Sequence, residues 1–158
     1  MDKGLYVADI AYSTSTDGVG LRNSLYVSGC PLRCDGCHNS KFWDILSGVF
    51  MAVEEVCDKL NVDDFNISIL GGEPMMQYDS ILELCMQIKK KYPSKTIWLW
   101  SGYTLEHIQD NYKEILSYID VLVDGPFVKE QAVPNLQWRG SLNQRVHHIK
   151  ELKLDICK

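Results

Sequence analysis

Apolar positions along the chain switch between two periods. Short runs rich in β-branched and aromatic residues occupy 5–10, 25–27, 65–70, 96–100 and 121–123, and each reads as a strand. Between the later runs the apolar residues recur at helical spacing. Val53, Val56, Cys57 and Leu60 fall at i, i+3, i+4 and i+7, which predicts a helix over 51–60. Ile81, Leu84, Cys85 and Ile88 repeat that spacing in a helix over 80–91, which ends before Tyr92-Pro93. A third stripe of Leu105, Ile108, Tyr112, Ile115, Leu116 and Ile119 predicts one helix starting at an N-cap on Thr104. Strands alternating with helices in this way imply right-handed βαβ units on a parallel sheet. No repeat, low-complexity tract or Gly/Ser linker interrupts the pattern, so residues 1–158 are expected to form a single domain. A closed eight-fold barrel usually takes about 250 residues, so a chain of this length supplies part of one or a small open sheet.

Four of the strands end in glycine-containing polar turns. Ser28-Gly29-Cys30 follows 25–27, Gly71-Gly72-Glu73-Pro74 follows 65–70, Ser101-Gly102-Tyr103 follows 96–100, and Asp124-Gly125-Pro126 follows 121–123. Glycine and proline end strands in many proteins, and one such turn means little. Four of them on a parallel sheet should meet along one edge, the edge where α/β folds build their sites.

Composition narrows the function classes. With 46% apolar and 23% charged residues the chain is an ordinary globular one, and its net charge of −5 argues against sequence-independent grip on nucleic acid or docking on an anionic membrane. No apolar run reaches the ~20 residues of a bilayer span, and Met1-Asp2-Lys3-Gly4 leads into a β-like run rather than a signal sequence, so a cytoplasmic location is expected. In that compartment the six cysteines are not expected to form disulfides. Cys57 and Cys85 lie on helical core stripes and read as small buried hydrophobes, and Cys157 as a free terminal thiol. Cys30, Cys34 and Cys37 stand apart, with Cys-x3-Cys-x2-Cys spacing on one short loop. Thiolates select soft metals. A structural zinc wants four ligands, and here the fourth is His38, Asp35 or a distant residue. A four-iron cluster held by three cysteines leaves one iron open to a substrate or cofactor. The readings rank as cluster, then zinc, then a thiol-redox loop.

These residues carry a resemblance. Cys30, Cys34 and Cys37 resemble the signature of the radical S-adenosylmethionine (SAM) enzymes, and Gly71-Gly72-Glu73-Pro74 is similar to their SAM-binding turn. A closer similarity is to the anaerobic ribonucleoside-triphosphate reductase activating proteins. It rests on Val27-Ser28-Gly29-Cys30, Gly36-Cys37-His38-Asn39 with Trp43, and Leu122-Val123-Asp124-Gly125. It continues in Trp138-Arg139-Gly140-Ser141, Asn143-Gln144 and Val146-His147-His148. The resemblance implies a partial (β/α) barrel of the radical SAM type, an open parallel sheet with helices outside. It implies a 4Fe-4S cluster on Cys30, Cys34 and Cys37, with the fourth iron open to SAM. Gly71, Gly72 and Glu73 would take the methionine part of SAM, and Gly36 and His38 would lie near the adenine; Ser101 either touches the ribose or carboxylate or simply caps its turn. Gly36 replaces the aromatic that the superfamily often carries before the third cysteine. The implied activity is reductive cleavage of SAM and removal of a glycine Cα hydrogen from the large subunit of an anaerobic ribonucleotide reductase, leaving a glycyl radical. Its electron would come from a donor such as a flavodoxin or ferredoxin. A homodimer and a mixed complex with the reductase are both open. The alternatives are an activase of another glycyl-radical enzyme of the formate-lyase type, and a zinc-stabilised binding module.

Other residues leave two readings each. Asp124 is a site residue, a cation ligand or a turn former; Trp138, Arg139 and Gln144 contact SAM or the partner, or merely close the open side of the sheet. His147 and His148 are adjacent and face different ways, and His107 reads as a helix-surface residue.

Overall fold

A computed structural model describes residues 3–37 and 39–156, the last four of these by backbone alone, so His38 and Cys157 lie outside the described residues. Seven strands form one open sheet in the order β3-β1-β2-β4-β5-β6-β7. They are β1 (Gly4–Thr14), β2 (Arg22–Val27), β3 (Val49–Ala52), β4 (Asn66–Gly71), β5 (Ile97–Trp100), β6 (Val121–Asp124) and β7 (Arg145–His148). The helices are α1 (Val53–Leu60), α2 (Tyr78–Lys91), α3 (Leu105–Asn111) and α4 (Ile149–Ile156).

The central strands β2, β4, β5 and β6 are parallel, as the alternating pattern predicts. The outer pairings are not: β1 runs antiparallel to both β2 and β3, and β7 antiparallel to β6. The reason is connection length and content. Residues 15–21, between β1 and β2, are too few for the crossover that parallel neighbours need, and residues 125–144, between β6 and β7, contain no α-helix. The sheet is therefore mixed and unclosed.

Two helical expectations change in detail. Met51 belongs to β3, paired with Leu5, so α1 starts only at Val53. The third stripe is broken at Tyr112, where the backbone reaches φ −138°, and continues as a 3-10 turn over Lys113–Ser117. The stripe still serves one core, since Leu105, Ile108, Ile115, Leu116 and Ile119 are all buried together. Thr104 caps α3 as its sequence suggests, accepting the His107 N–H at 3.2 Å.

Strand pleating gives the sheet two unlike faces. Leu5, Val7, Leu25, Val27, Ile67, Ile69, Ile97, Leu99 and Leu122 join the apolar stripes of α1, α2 and α3 in one core, where Cys57 and Cys85 are fully buried. Trp98, Val121 and Val123 point the other way and pack with Trp100, Trp138 and Val146. Lower on that second face Arg22 is buried. It donates to Ser68 Oγ (2.9 Å), Val19 O (3.1 Å), Ile67 O (2.8 Å), Thr96 O (2.9 Å) and Thr96 Oγ1 (3.0 Å), with its guanidinium 5.5 Å from the Trp98 ring centre. Burial lowers its pKa to about 10.

Candidate functional site

The four glycine turns meet at the C-terminal edge of the parallel strands, and backbone bonds join them. Gly72 N–H donates to Val27 O (2.7 Å), Glu73 N–H to Gly29 O (2.8 Å), Ser101 N–H to Val123 O (3.0 Å) and Gly125 N–H to Tyr103 O (3.1 Å). The approach explains the paired glycines. A Cβ on Gly72 would lie 2.4 Å from Gly29 O, and one on Gly71, at φ +109°, 2.6 Å from Val27 N. The β2 turn thus demands both glycines before any ligand is considered.

On the face without α1, α2 and α3, these turns border an open cavity of about 190 Å³. Cys30, Cys34 and Cys37 line it, together with Gly71, Gly72, Glu73 and Ser101. All three thiols are free and partly exposed. Their loop is anchored by Gly29 N–H to Phe42 O (2.6 Å) and Cys30 N–H to Trp43 O (3.0 Å), and Arg33 adopts a left-handed φ of 48° within it. Burial pushes the Cys30 thiol up, while backbone N–H groups of Arg33 and Leu32 pull it down. Asn39 N–H is directed at Cys37 Sγ, 3.4 Å away. Burial is the larger effect at Cys30, so its thiol stays above the ordinary cysteine value; metal binding takes the thiolate form. Among the described residues no three His, Cys, Asp or Glu side chains are grouped to hold a single metal ion. The three thiols on one loop are soft donors of the kind that both iron–sulfur clusters and zinc take.

Glu73 is 1% exposed and sits between two turns. Oε2 accepts Met75 N–H (2.9 Å) and Ser101 Oγ–H (2.8 Å), and Oε1 accepts Gly102 N–H (2.6 Å). Burial nonetheless raises its pKa to about 7, with the three donors opposing. Ser101 Oγ is engaged on both sides, since it also accepts Tyr103 N–H at 3.0 Å. The carboxylate therefore staples the β4 turn to the β5 turn beside the cavity that Glu73 helps to line.

Other expected residues divide. Gly36, at φ +75°, is exposed and not among the cavity-lining residues. Asp124 is fully buried and holds structure: it accepts Leu105 N–H (2.7 Å) and both backbone and guanidinium donors of Arg145. Trp138 and Gln144 line the cavity, whereas Arg139 supports it from behind through Nη1–H to Gln144 O at 2.9 Å. His147 Nε2 lies 3.2 Å from Asp124 Oδ2, and His107 stacks on Tyr103 with ring centres 4.4 Å apart. Leu32, Trp100 and Phe127 also line the cavity and were not singled out by sequence. Trp100 and Phe127 flank two of the glycine turns, which was the available signal.

The family profile described as a 4Fe-4S single cluster domain matches residues 16–147. Curated relatives carry the name anaerobic ribonucleoside-triphosphate reductase-activating protein. The Vibrio cholerae protein is 44% identical over 142 residues, covering 84% of this chain and 91% of its own. The Escherichia coli K12 protein is 39% identical over 142 residues, covering 85% and 92%. That of Enterobacteria phage T4 is 35% identical over 136 residues, covering 82% and 85%. A 4Fe-4S domain spanning the cysteine loop and these similarities over 82–85% of the chain show that it belongs to the anaerobic ribonucleoside-triphosphate reductase-activating protein family.

Proposed function

We propose that this chain activates an anaerobic ribonucleoside-triphosphate reductase by radical SAM chemistry. The observation that carries the reading is the shared cavity: the three cysteines of one loop and the glycine turn of β4 line the same space. Cys30, Cys34 and Cys37 hold three irons of a 4Fe-4S cluster and leave the fourth for SAM. Bound there, a reduced cluster and SAM supply one-electron cleavage of the sulfonium C–S bond and removal of one hydrogen atom from a reductase glycine Cα, giving methionine, 5′-deoxyadenosine and a glycyl radical. The electron comes from a small donor protein of the flavodoxin or ferredoxin class.

The chain's own residues bind, orient and exclude water. Gly71 and Gly72 present bare backbone to the methionine moiety. Glu73, which lines the cavity, takes the ammonium group, and that cation favours the ionised carboxylate that burial alone disfavours. Ser101, fixed by Glu73, sets the position of the β5 turn. Gly36 and His38, on either side of Cys37, serve the adenine. Trp100, Val123 and Trp138 supply the apolar wall that keeps water from the reacting centre.

The test is anaerobic. The chain is rebuilt with iron and sulfide, reduced with dithionite and given SAM and the reductase; nucleoside is assayed, and the glycyl radical is read by electron paramagnetic resonance. Both products are expected, and both are lost in Cys34→Ala. Full activity of Cys34→Ala, or tight zinc binding with no cluster, sinks the reading.

A further inference from the structure

Residues 125–144 connect β6 to β7, and one side chain clasps their ends together. Gln144 Oε1 accepts the N–H groups of Gly140 (2.7 Å) and Ser141 (3.1 Å), and Nε2 donates to Gly125 O (2.9 Å). Asn143 Nδ2 donates to Pro126 O at 2.7 Å beside it. A single carboxamide thus ties the first residue of the connection to the stretch following Trp138.

Trp138 is held in a costly backbone conformation. Its φ is +67°, the left-handed region that a bulky L-residue rarely occupies, and such strain persists only where the surroundings over-determine it. Here the Trp138 C=O accepts Trp100 Nε1–H at 2.7 Å, and its ring stands edge-on to Trp98 at 5.5 Å and 73°. Gly125, Phe127, Trp138, Gly140 and Gln144 are the part of the cavity wall that this connection supplies. Gln144 therefore borders the cavity and also fixes the wall next to it.

We propose that Gln144 is a positioning residue for hydrogen transfer: its clasp holds the Trp138 wall at the one depth that seats a glycine-bearing segment of the partner against the reacting carbon. The inference rests on the radical reading above. Hydrogen transfer needs the reacting atoms about 3–3.5 Å apart, so a wall free to shift wastes SAM cleavage without making a glycyl radical.

The experiment uses Gln144→Ala and Gln144→Glu, the latter keeping the Oε1 acceptor and losing the donor to Gly125 O. One readout needs no cofactor: limited trypsin digestion at Lys129 and Arg139, which is expected to quicken in both variants. The other uses the rebuilt enzyme with the reductase and measures nucleoside released per glycyl radical formed. That ratio is expected to rise roughly tenfold in Gln144→Ala and less in Gln144→Glu. Partial misfolding lowers both products together and leaves the ratio alone, so the ratio isolates positioning. Unchanged digestion, or opened digestion with a wild-type ratio, overturns the proposal. If Gln144→Ala does not fold, Gln144→Glu decides on the same two readouts. A wild-type enzyme that makes no nucleoside overturns the radical reading too; failure of the clasp alone leaves wild-type turnover intact.

Discussion

On the helix side of the sheet, Leu25, Ile67, Ile69, Ile97 and Leu99 are fully buried among the apolar stripes of α1, α2 and α3. On the opposite side the same strands present Arg22, Ser24, Ser68, Trp98 and Trp100. The first face is closed by generic hydrophobic complementarity. The second is not covered by those helices and closes itself with its own groups: Arg22 against strand carbonyls, Tyr26 Oη–H on Asp17 at 2.5 Å, and the Trp98 ring against those of Trp100 and Trp138. The cavity opens at the top of this second face. The lesson is that a sheet covered on one side keeps its other side for chemistry, at the cost of satisfying every buried polar group there individually.

The largest test of that division is the cysteines. Cys30→Ala, Cys34→Ala or Cys37→Ala is expected to abolish cluster assembly and nucleoside formation, while Cys57→Ala, on the helix side, still assembles a cluster and cleaves SAM. Iron content and the nucleoside assay check this, and loss of the cluster in Cys57→Ala would break the division.

Stability should distinguish the faces by mechanism. Leu99→Ala opens a cavity in the helix-side core, with an expected cost of about 2–5 kcal/mol. Arg22→Met removes the donors of the Val19, Ile67 and Thr96 carbonyls, and about 2–4 kcal/mol is expected, read from the urea midpoint. A midpoint unchanged in Arg22→Met would mean that water serves those carbonyls equally well.

Glu73 offers a pH signature in the protein free of cluster and SAM. Its folded pKa of about 7 lies above the 4.5 of the free side chain. Between those values the folded chain keeps a proton that the unfolded chain has lost, so stability is greatest at the acid end and falls as pH rises through the window. The shift amounts to about 3 kcal/mol, and Glu73→Gln should remove that part of the pH dependence. Urea midpoints at about pH 5 and about pH 8, compared between the two proteins, measure it. Equal slopes would show that the staple carries no charge penalty.

The smallest effect is expected at the rim. Arg145 holds Glu106 down to about 2 through contacts of 2.6 and 3.0 Å, but the Glu106 side chain is 63% exposed. Glu106→Gln should therefore cost under about 1 kcal/mol and less in high salt, checked by the same unfolding assay. A larger loss would show that Arg145 needs Glu106 to keep its hold on buried Asp124.

The parts of the fold that were legible share a local cause. The stripes on 53–60 and 81–88 and the Thr104 cap depend on neighbours within a turn or two, and all are seen. The edge strands were missed because their sides lack a buried pattern: Val49 is 63% and Phe50 58% exposed, and β7 has no fully buried residue. The break at Tyr112 was hidden because the apolar spacing runs on through it. At the site, the cysteine spacing and the four glycine turns stood out as residue types. What Glu73, Asp124 and Gln144 hold did not.

The sequence by itself determined which residues are able to bind soft metal, which stripes seek a core, and where the chain must turn, since these follow from side-chain chemistry and short-range periodicity. Tertiary structure alone decided that Gly71 and Gly72 are demanded by the Val27–Gly29 backbone, that the Glu73 carboxylate joins Ser101 and Gly102, and that Arg22 is buried beneath Trp98. Each joins residues far apart in the chain, such as Arg22 with Thr96 or Gly125 with Gln144. Such pairings exist only once the strands have taken their order in the sheet, because the order sets which turns become neighbours.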